Sequence, residues 1–376
     1  MKNFGRTSVH EFLGDFVVYR NLAPLDPRLP SLAEIRQQVG LPEDVIPRKS
    51  QPAYARVMAY LLQQARALDA PDAPIKRLVY VGDTRMNDGA AFANICRAGK
   101  WPGLAFIVSE RDEPAHVEIV EQKAGTLYLA NRWAAIFDFE KFCRERDFPL
   151  DVHTAAVIDL DKTAFGARGR NDHVIDRARV EAVRHTVGDL LGDDFDPECF
   201  QAAYDRLNQA EFHLFTADNQ DYVAYICLIL GARLYQLEAV VADVQAGQMS
   251  SFEQFIAEVD GRADELSLSL REIHERVYSR VQGGDPTPFK AFRYNEYIST
   301  VERMGFLDGD APAVELLEQE IVITQEVRET ALAWRERGVL LFGLSDKPDE
   351  ASAPSDELAA HGYQAIHRVE THAVGE

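Results

Sequence analysis

The stretch Ala155–Thr163 reads AAVIDLDKT, four apolar residues running into two aspartates and a threonine at alternating positions. A short apolar run bounded by polar residues is the pattern of a buried strand. Side chains alternate along a strand, so Asp159 and Asp161 are expected on one side where the strand ends. Two carboxylates at the mouth of a buried strand repel each other and raise at least one pKa. Such crowding is tolerated mainly where a cation sits between the acids or a reaction uses them.

Working outward, Arg77–Asp83 (RLVYVGD) is a second apolar run ending in an acid, with Asn87 and Asp88 close behind. Leu104–Ser109 is a third, and Gly338–Ser345 (GVLLFGLS) a fourth, ending in serine. Helical spacing is expected over Ala53–Leu68, Gly89–Arg97, Asn131–Arg146 and Gln319–Arg337, and a last short strand over Ala365–Glu370. Alternating strands and helices predict a parallel α/β sheet, doubly wound with helices on both faces. From Ala164 to about Glu320 the pattern is helical throughout, with Val180, Val183, Val187 and Leu190 keeping one face. The expected organisation is therefore a catalytic core of residues 1–163 and 322–376, and an all-helical second domain of residues 164–321.

Composition narrows the partners. The chain has 376 residues, 46% hydrophobic, with 61 acidic against 40 basic residues and a net charge of −21. That excess argues against general binding to nucleic acid or anionic membrane. The four cysteines lack CxxC spacing, so neither a disulfide framework nor a zinc site is suggested. No signal-peptide core is read at the N-terminus, and Tyr222–Leu230 falls short of the roughly 20 apolar residues that span a bilayer. A cytoplasmic location without membrane contact is the expectation.

In a parallel sheet the carboxyl ends of the strands line one crevice, where ligands bind. Asp159, Asp161, Asp83 and Asp88 are expected to converge there with Ser345. Carboxylate oxygens without histidine or thiolate suit a hard octahedral cation, Mg²⁺, which takes substrate phosphate oxygens as further ligands. That chemistry is phosphoryl transfer, with Asp159 attacking phosphorus and Asp161 serving as general acid and base.

These residues resemble the signatures of the haloacid dehalogenase superfamily. AAVIDLDKT is similar to its first motif, LLFGLSDKP (Leu340–Pro348) to its second, Arg48-Lys49-Ser-Gln-Pro52 to its third and LVYVGDTRMND (Leu78–Asp88) to its fourth. The order here is third, fourth, first, second, which resembles a circular permutation, with the helical segment placed as a C1-type cap. The resemblance implies a Mg²⁺-dependent phosphatase working through an aspartyl-phosphate on Asp159. It implies Mg²⁺ on the Asp159 side chain, the Asp161 carbonyl and Asp83, assisted by Asp88, with Ser345 on a phosphoryl oxygen and Lys49 neutralising charge. Aspartate at the second acidic position favours a phosphatase over a dehalogenase or an ATPase, and Phe165–Arg170 (FGARGR) stands where the family's flap begins.

Lys347 competes with Lys49 for the third-motif role; a lysine two residues past a strand end is expected to face solvent, which favours Lys49. The expected substrate is a small phosphorylated metabolite, with Thr163 and the Lys290 and Arg293 of Asp285–Tyr297 as candidate contacts. For that helical segment the plainer reading is a helix start with a solvated face. The patch His213, Asp218, Asn219, Asp221 reads as surface polarity beside an apolar helix, and His367, Glu370 and His372 as surface residues. A non-catalytic, metal-dependent phosphate-binding or regulatory protein is the alternative function. A two-component receiver has no such helical insert, and a nucleotide-binding Rossmann domain would need GxGxxG, which is missing.

Overall fold

A computed structural model describes residues 1–42, 46–217 and 219–376. By its internal contacts the chain divides into two compact units, residues 1–177 with 300–376, and residues 178–299. Residues 164–177 and 300–321 thus pack with the sheet-bearing unit.

Ten strands are formed among the described residues, in chain order β1 (Lys2–Thr7), β2 (Val17–Val18), β3 (Arg77–Gly82), β4 (Gly103–Val108), β5 (Val117–Gln122), β6 (Gly125–Ala130), β7 (Thr154–Asp159), β8 (Ile323–Thr324), β9 (Leu340–Leu344) and β10 (Thr371–Gly375). Seven build one sheet in the order β2-β9-β7-β3-β4-β6-β5, and only the edge pair β5–β6 is antiparallel. The protein is a mixed α/β protein with a mostly parallel sheet. β10 lies between β8 and β1 in a second, three-stranded sheet, where Lys2 stands opposite Gly375.

The apolar runs are buried because both faces of the large sheet are covered. Leu78, Tyr80, Val157 and Phe342 face a core built with Tyr54, Val57 and Leu61 of helix Pro52–Asp69 and Phe92 and Ile95 of helix Asn87–Gly99. On the other face, helix Ala135–Glu145 packs on β4, with the Phe106 and Phe139 rings 5.7 Å apart, and helix Gln325–Glu336 packs on β9. Continuous burial along β7 and β9 fits the interior of a parallel sheet.

Three expectations need correction. Ala365–Glu370 is a turn with a short 3-10 segment, and the strand there is Thr371–Gly375. The helix placed over Gln319–Arg337 starts at Gln325, because Ile323–Thr324 is paired with β10. His367 and His372 are fully buried, not surface residues: His367 bonds Asp15, and His372 Nδ1 sits 2.8 Å from the buried Glu320.

The unit 178–299 contains no strand among its described residues. Its core joins Val183, Val187, Phe200, Tyr225, Phe252 and Phe255, presented at helical spacing. Among the described residues no helix is long and apolar enough to cross a membrane.

Candidate metal site

Asp159 is the last residue of β7, level with Leu344 of β9, and Ser345 follows one step beyond. On the other side β7 pairs with β3, after which comes Asp83. Three neighbouring strands thus deliver Ser345, Asp159 and Asp83 to one sheet edge. After β7 the chain turns back at once: Lys162 has φ +62°, and the Ala164 and Phe165 amides donate to the Asp159 and Leu160 carbonyls. That turn brings the Thr163 hydroxyl to Asp159 Oδ2 at 3.1 Å. Thr163 is fully buried, so its side chain orients the carboxylate.

Asp88, in the first turn of helix Asn87–Gly99, folds back over the end of β3. Its Oδ2 accepts from the Asp83 amide at 3.0 Å, the Thr84 amide at 2.8 Å and the Thr84 hydroxyl at 2.9 Å. Its Oδ1 accepts from the Tyr80 hydroxyl at 2.9 Å. Gly82 makes this fold-back possible, since a Cβ there would lie 2.6 Å from Asp88 Cγ.

Lys49 stands in the turn before helix Pro52–Asp69, which Asn94 ties down by donating to the Ser50 carbonyl at 2.8 Å. Its ammonium lies 2.5 Å from both Asp159 Oδ1 and Asp88 Oδ1. Oxygens of Asp83, Asp88 and Asp159 all lie within 4.8 Å of one another. No other group of three His, Cys, Asp or Glu side chains among the described residues gathers in this way.

The electrostatics follow from burial. Asp83 is pushed up to about 9, by loss of water first and then by the Asp159 and Asp88 carboxylates. Burial raises Asp159 to about 7 against the opposing pull of Lys49. For Asp88 the Lys49 ammonium and the backbone donors outweigh burial, and its pKa falls below the ordinary range. Burial alone would lower Lys49, but Asp159 and Asp88 hold it well above an ordinary lysine. Arg168, reaching back from the FGARGR turn, donates from Nε to Asp83 Oδ2. With all three acids ionised, three carboxylates would face two cations, a deficit that a divalent ion held by oxygen ligands would fill in place of protons.

Asp161 is half-buried and lines a narrow cavity with Ser345, Lys347 and Thr300. Ser345 is buried and its Oγ accepts from the Lys347 amide at 3.0 Å. Lys347 is also buried, contrary to the solvent-facing placement expected of it, and its Nζ reaches Thr300 Oγ1 at 3.3 Å. Of the two lysines it is Lys49 that touches Asp159.

Lys290 and Arg293 belong to the helical unit. Lys290 contacts Asp285 and Thr287, at 3.1 and 2.8 Å. Arg293 is buried between Asp221 and Glu296, donating from Nε to Asp221 at 2.7 Å and from Nη1 to Glu296 at 2.5 Å, so its cation is consumed inside the unit. Asp221 is thereby a core residue and not surface polarity, Asn219 caps helix Gln220–Gly231, and Asp218 lies outside the described residues.

Arg168, Thr84 and Tyr80 were not singled out by sequence reasoning. Tyr80 reads as an ordinary core position, and nothing in the alternation announces that its hydroxyl meets an acid. Arg168 had a signal, a cation between glycines in a turn following two site aspartates. Gly169 there has φ +78° and a Cβ would lie 1.9 Å from the Glu110 carbonyl, so the turn is wedged in place.

No protein-family model, curated protein or solved structure matches the chain.

Proposed function

We propose that the protein is a Mg²⁺-dependent phosphatase of small phosphate monoesters, built on a circularly permuted core like that of the haloacid dehalogenase superfamily. The observation that carries this reading is Lys49, clamped between Asp159 and Asp88 beside Asp83, at the edge where three parallel strands end. The strand order supports it too: the strands before Ser345, Asp159 and Asp83 are neighbours although far apart in sequence. Pairing of β1 with β10 brings residues 2–7 beside 371–375, as a permuted core requires. The helical unit lies in sequence between the first and second motifs, the interval of a C1-type cap.

Asp83, Asp88 and Asp159 would hold the ion, and they fit it: hard oxygen donors, buried, short of positive charge. Bound there, Mg²⁺ supplies a counter-charge for phosphoryl oxygens. Asp159 attacks phosphorus, forming the acyl-phosphate bond as the ester P–O bond breaks. Asp161 gives its proton to the departing alkoxide, then takes one from the water that attacks the phosphoryl group, releasing inorganic phosphate and regenerating Asp159. Ser345 donates to a phosphoryl oxygen, and Lys49 offsets charge on Asp159.

The test is phosphate release from p-nitrophenyl phosphate and sugar phosphates with Mg²⁺ or with EDTA, beside Asp159→Asn. Expected is Mg²⁺-dependent turnover that falls below detection in Asp159→Asn while circular dichroism is unchanged. Substantial activity in that variant would remove the nucleophile role. Mg²⁺ binding without turnover would leave the non-catalytic phosphate-binding protein as the reading.

A further inference from the structure

Beside the acid cluster, at the carboxyl ends of β3, β4 and β6, a cavity of about 630 Å³ opens onto Asp83 and Arg168. That size suits a metabolite. Its floor includes Ile107 and Leu129, and its rim carries Arg85, Arg111 and His116. The rim loop is held at both ends. Asn131 donates to the Pro114 carbonyl at 2.9 Å and accepts from the His116 amide at 2.7 Å, and the Arg132 guanidinium donates to the Arg111 and Glu113 carbonyls. On the other side the Glu110 amide donates to the Arg168 carbonyl at 3.1 Å, and the Glu110 carboxylate accepts from Arg170.

Charge in this cavity is distributed unevenly. Arg85 stands 3.9 Å from Glu118, a loose exposed pair, and Arg168 is committed to Asp83. Arg111 forms no ion pair among the described residues, and neither does the exposed Glu113 beside it. A divalent ion on the acid cluster would neutralise Asp83 and release Arg168, whose side chain is 32% exposed and already borders the cavity. With Arg85 and Glu118 set against each other, Arg111 and Arg168 would then face the ligand against Glu113. Guanidinium groups bind carboxylates and phosphates through paired, charge-assisted hydrogen bonds.

Resting on the phosphatase reading, we propose that this cavity holds the non-phosphate half of the substrate and that this half carries a second anionic group, gripped by Arg111 and Arg168. The ligand class is thus a small organic phosphate bearing a carboxylate or a second phosphate.

Matched ligands test it by calorimetry on the full chain with Mg²⁺, using Asp159→Asn to prevent turnover. One pair is 3-phosphoglycerate against glycerol 3-phosphate, the other fructose 1,6-bisphosphate against fructose 6-phosphate; together they tell a carboxylate from a phosphate. At least one ligand with two anionic groups is expected to bind about tenfold or more tighter than its mate, and Arg111→Ala or Arg168→Ala to shrink that ratio to below about threefold. Equal binding within both pairs overturns the proposal, as does a preference that survives both substitutions. Turnover of p-nitrophenyl phosphate by the unsubstituted chain reports separately on hydrolysis: its failure with the preference intact removes the phosphatase reading and leaves the anion site.

Discussion

The Lys49 ammonium lies 2.5 Å from Asp159 and 2.5 Å from Asp88, with Asp83 completing a buried triad. Removing one partner of a buried ionic group is costly because the remaining charges keep their desolvation and lose their compensation; the usual range is about 3–5 kcal/mol. Lys49→Met is therefore expected to destabilise the sheet-bearing unit by about that amount in urea unfolding at pH 7.5. Adding Mg²⁺ should recover part of the loss, since a cation can take over the role of the ammonium. A loss under about 1 kcal/mol would mean that Asp159 and Asp88 simply take up protons when the lysine is gone.

At the scale of the element, the turn from β3 into helix Asn87–Gly99 depends on the absence of a side chain at Gly82. Gly82→Ala would drive a Cβ into Asp88, and overpacking of this kind costs about 1–3 kcal/mol. The expected result is a lower Tm together with weaker Mg²⁺ binding by calorimetry, because Asp88 loses its place near Asp83. An Ala variant with unchanged Mg²⁺ affinity would show that Asp88 does not serve the ion.

The same scale explains what was legible in the sequence. β3, β4, β7 and β9 are unmistakable as buried apolar runs with polar ends, and their ends carry Asp83, Asp159 and Ser345. The hairpin β5–β6 escaped: β5 (VEIVEQ) is exposed on nearly every residue, and its acids and glutamine break up the short apolar signal. β2 has only two residues, Val17 and Val18, and takes its place solely through pairing with Gly343 and Leu344 across the chain. Local sequence does not encode which strand a distant turn will meet; the contact of Lys49 with Asp159 was expected only through the motif resemblance, and its second contact, with Asp88, was not expected. Arg293 misled for the opposite reason. Cations among aromatics look like a binding surface until Asp221, far away in sequence, is seen to bury one of them.

For the whole molecule, the titration of the cluster links stability to pH and to the ion. Asp83 and Asp159 are raised to about 9 and about 7 in the folded chain, from an ordinary carboxylate near ~4. Groups raised in this way bind protons better folded than unfolded. Their contribution is complete at low pH and drains away as the pH climbs from ~4 through 9. Mg²⁺ competes with those protons and supplies the missing charge at high pH. The rise in Tm on adding Mg²⁺ is thus expected to be clearly larger at pH 8 than at pH 5, as scanning fluorimetry would read. An equal rise at both pH values would separate ion binding from these carboxylates.

The pairing of β7 with β9 also governs how the chain can fold as it is made. β7 has β3 on one side early, but its other neighbour begins only at Leu340. Chains grow at roughly 5–20 residues per second, so the open side of β7 waits on the order of ten to forty seconds for β9. An unpaired buried strand is a template for wrong partners during that time. The helices of 178–299 emerge in the interval as one uninterrupted stretch, with their core complete before the sheet can close. Synthesis of this protein therefore leaves the strand end that carries Asp159 unfinished until β9 has been made.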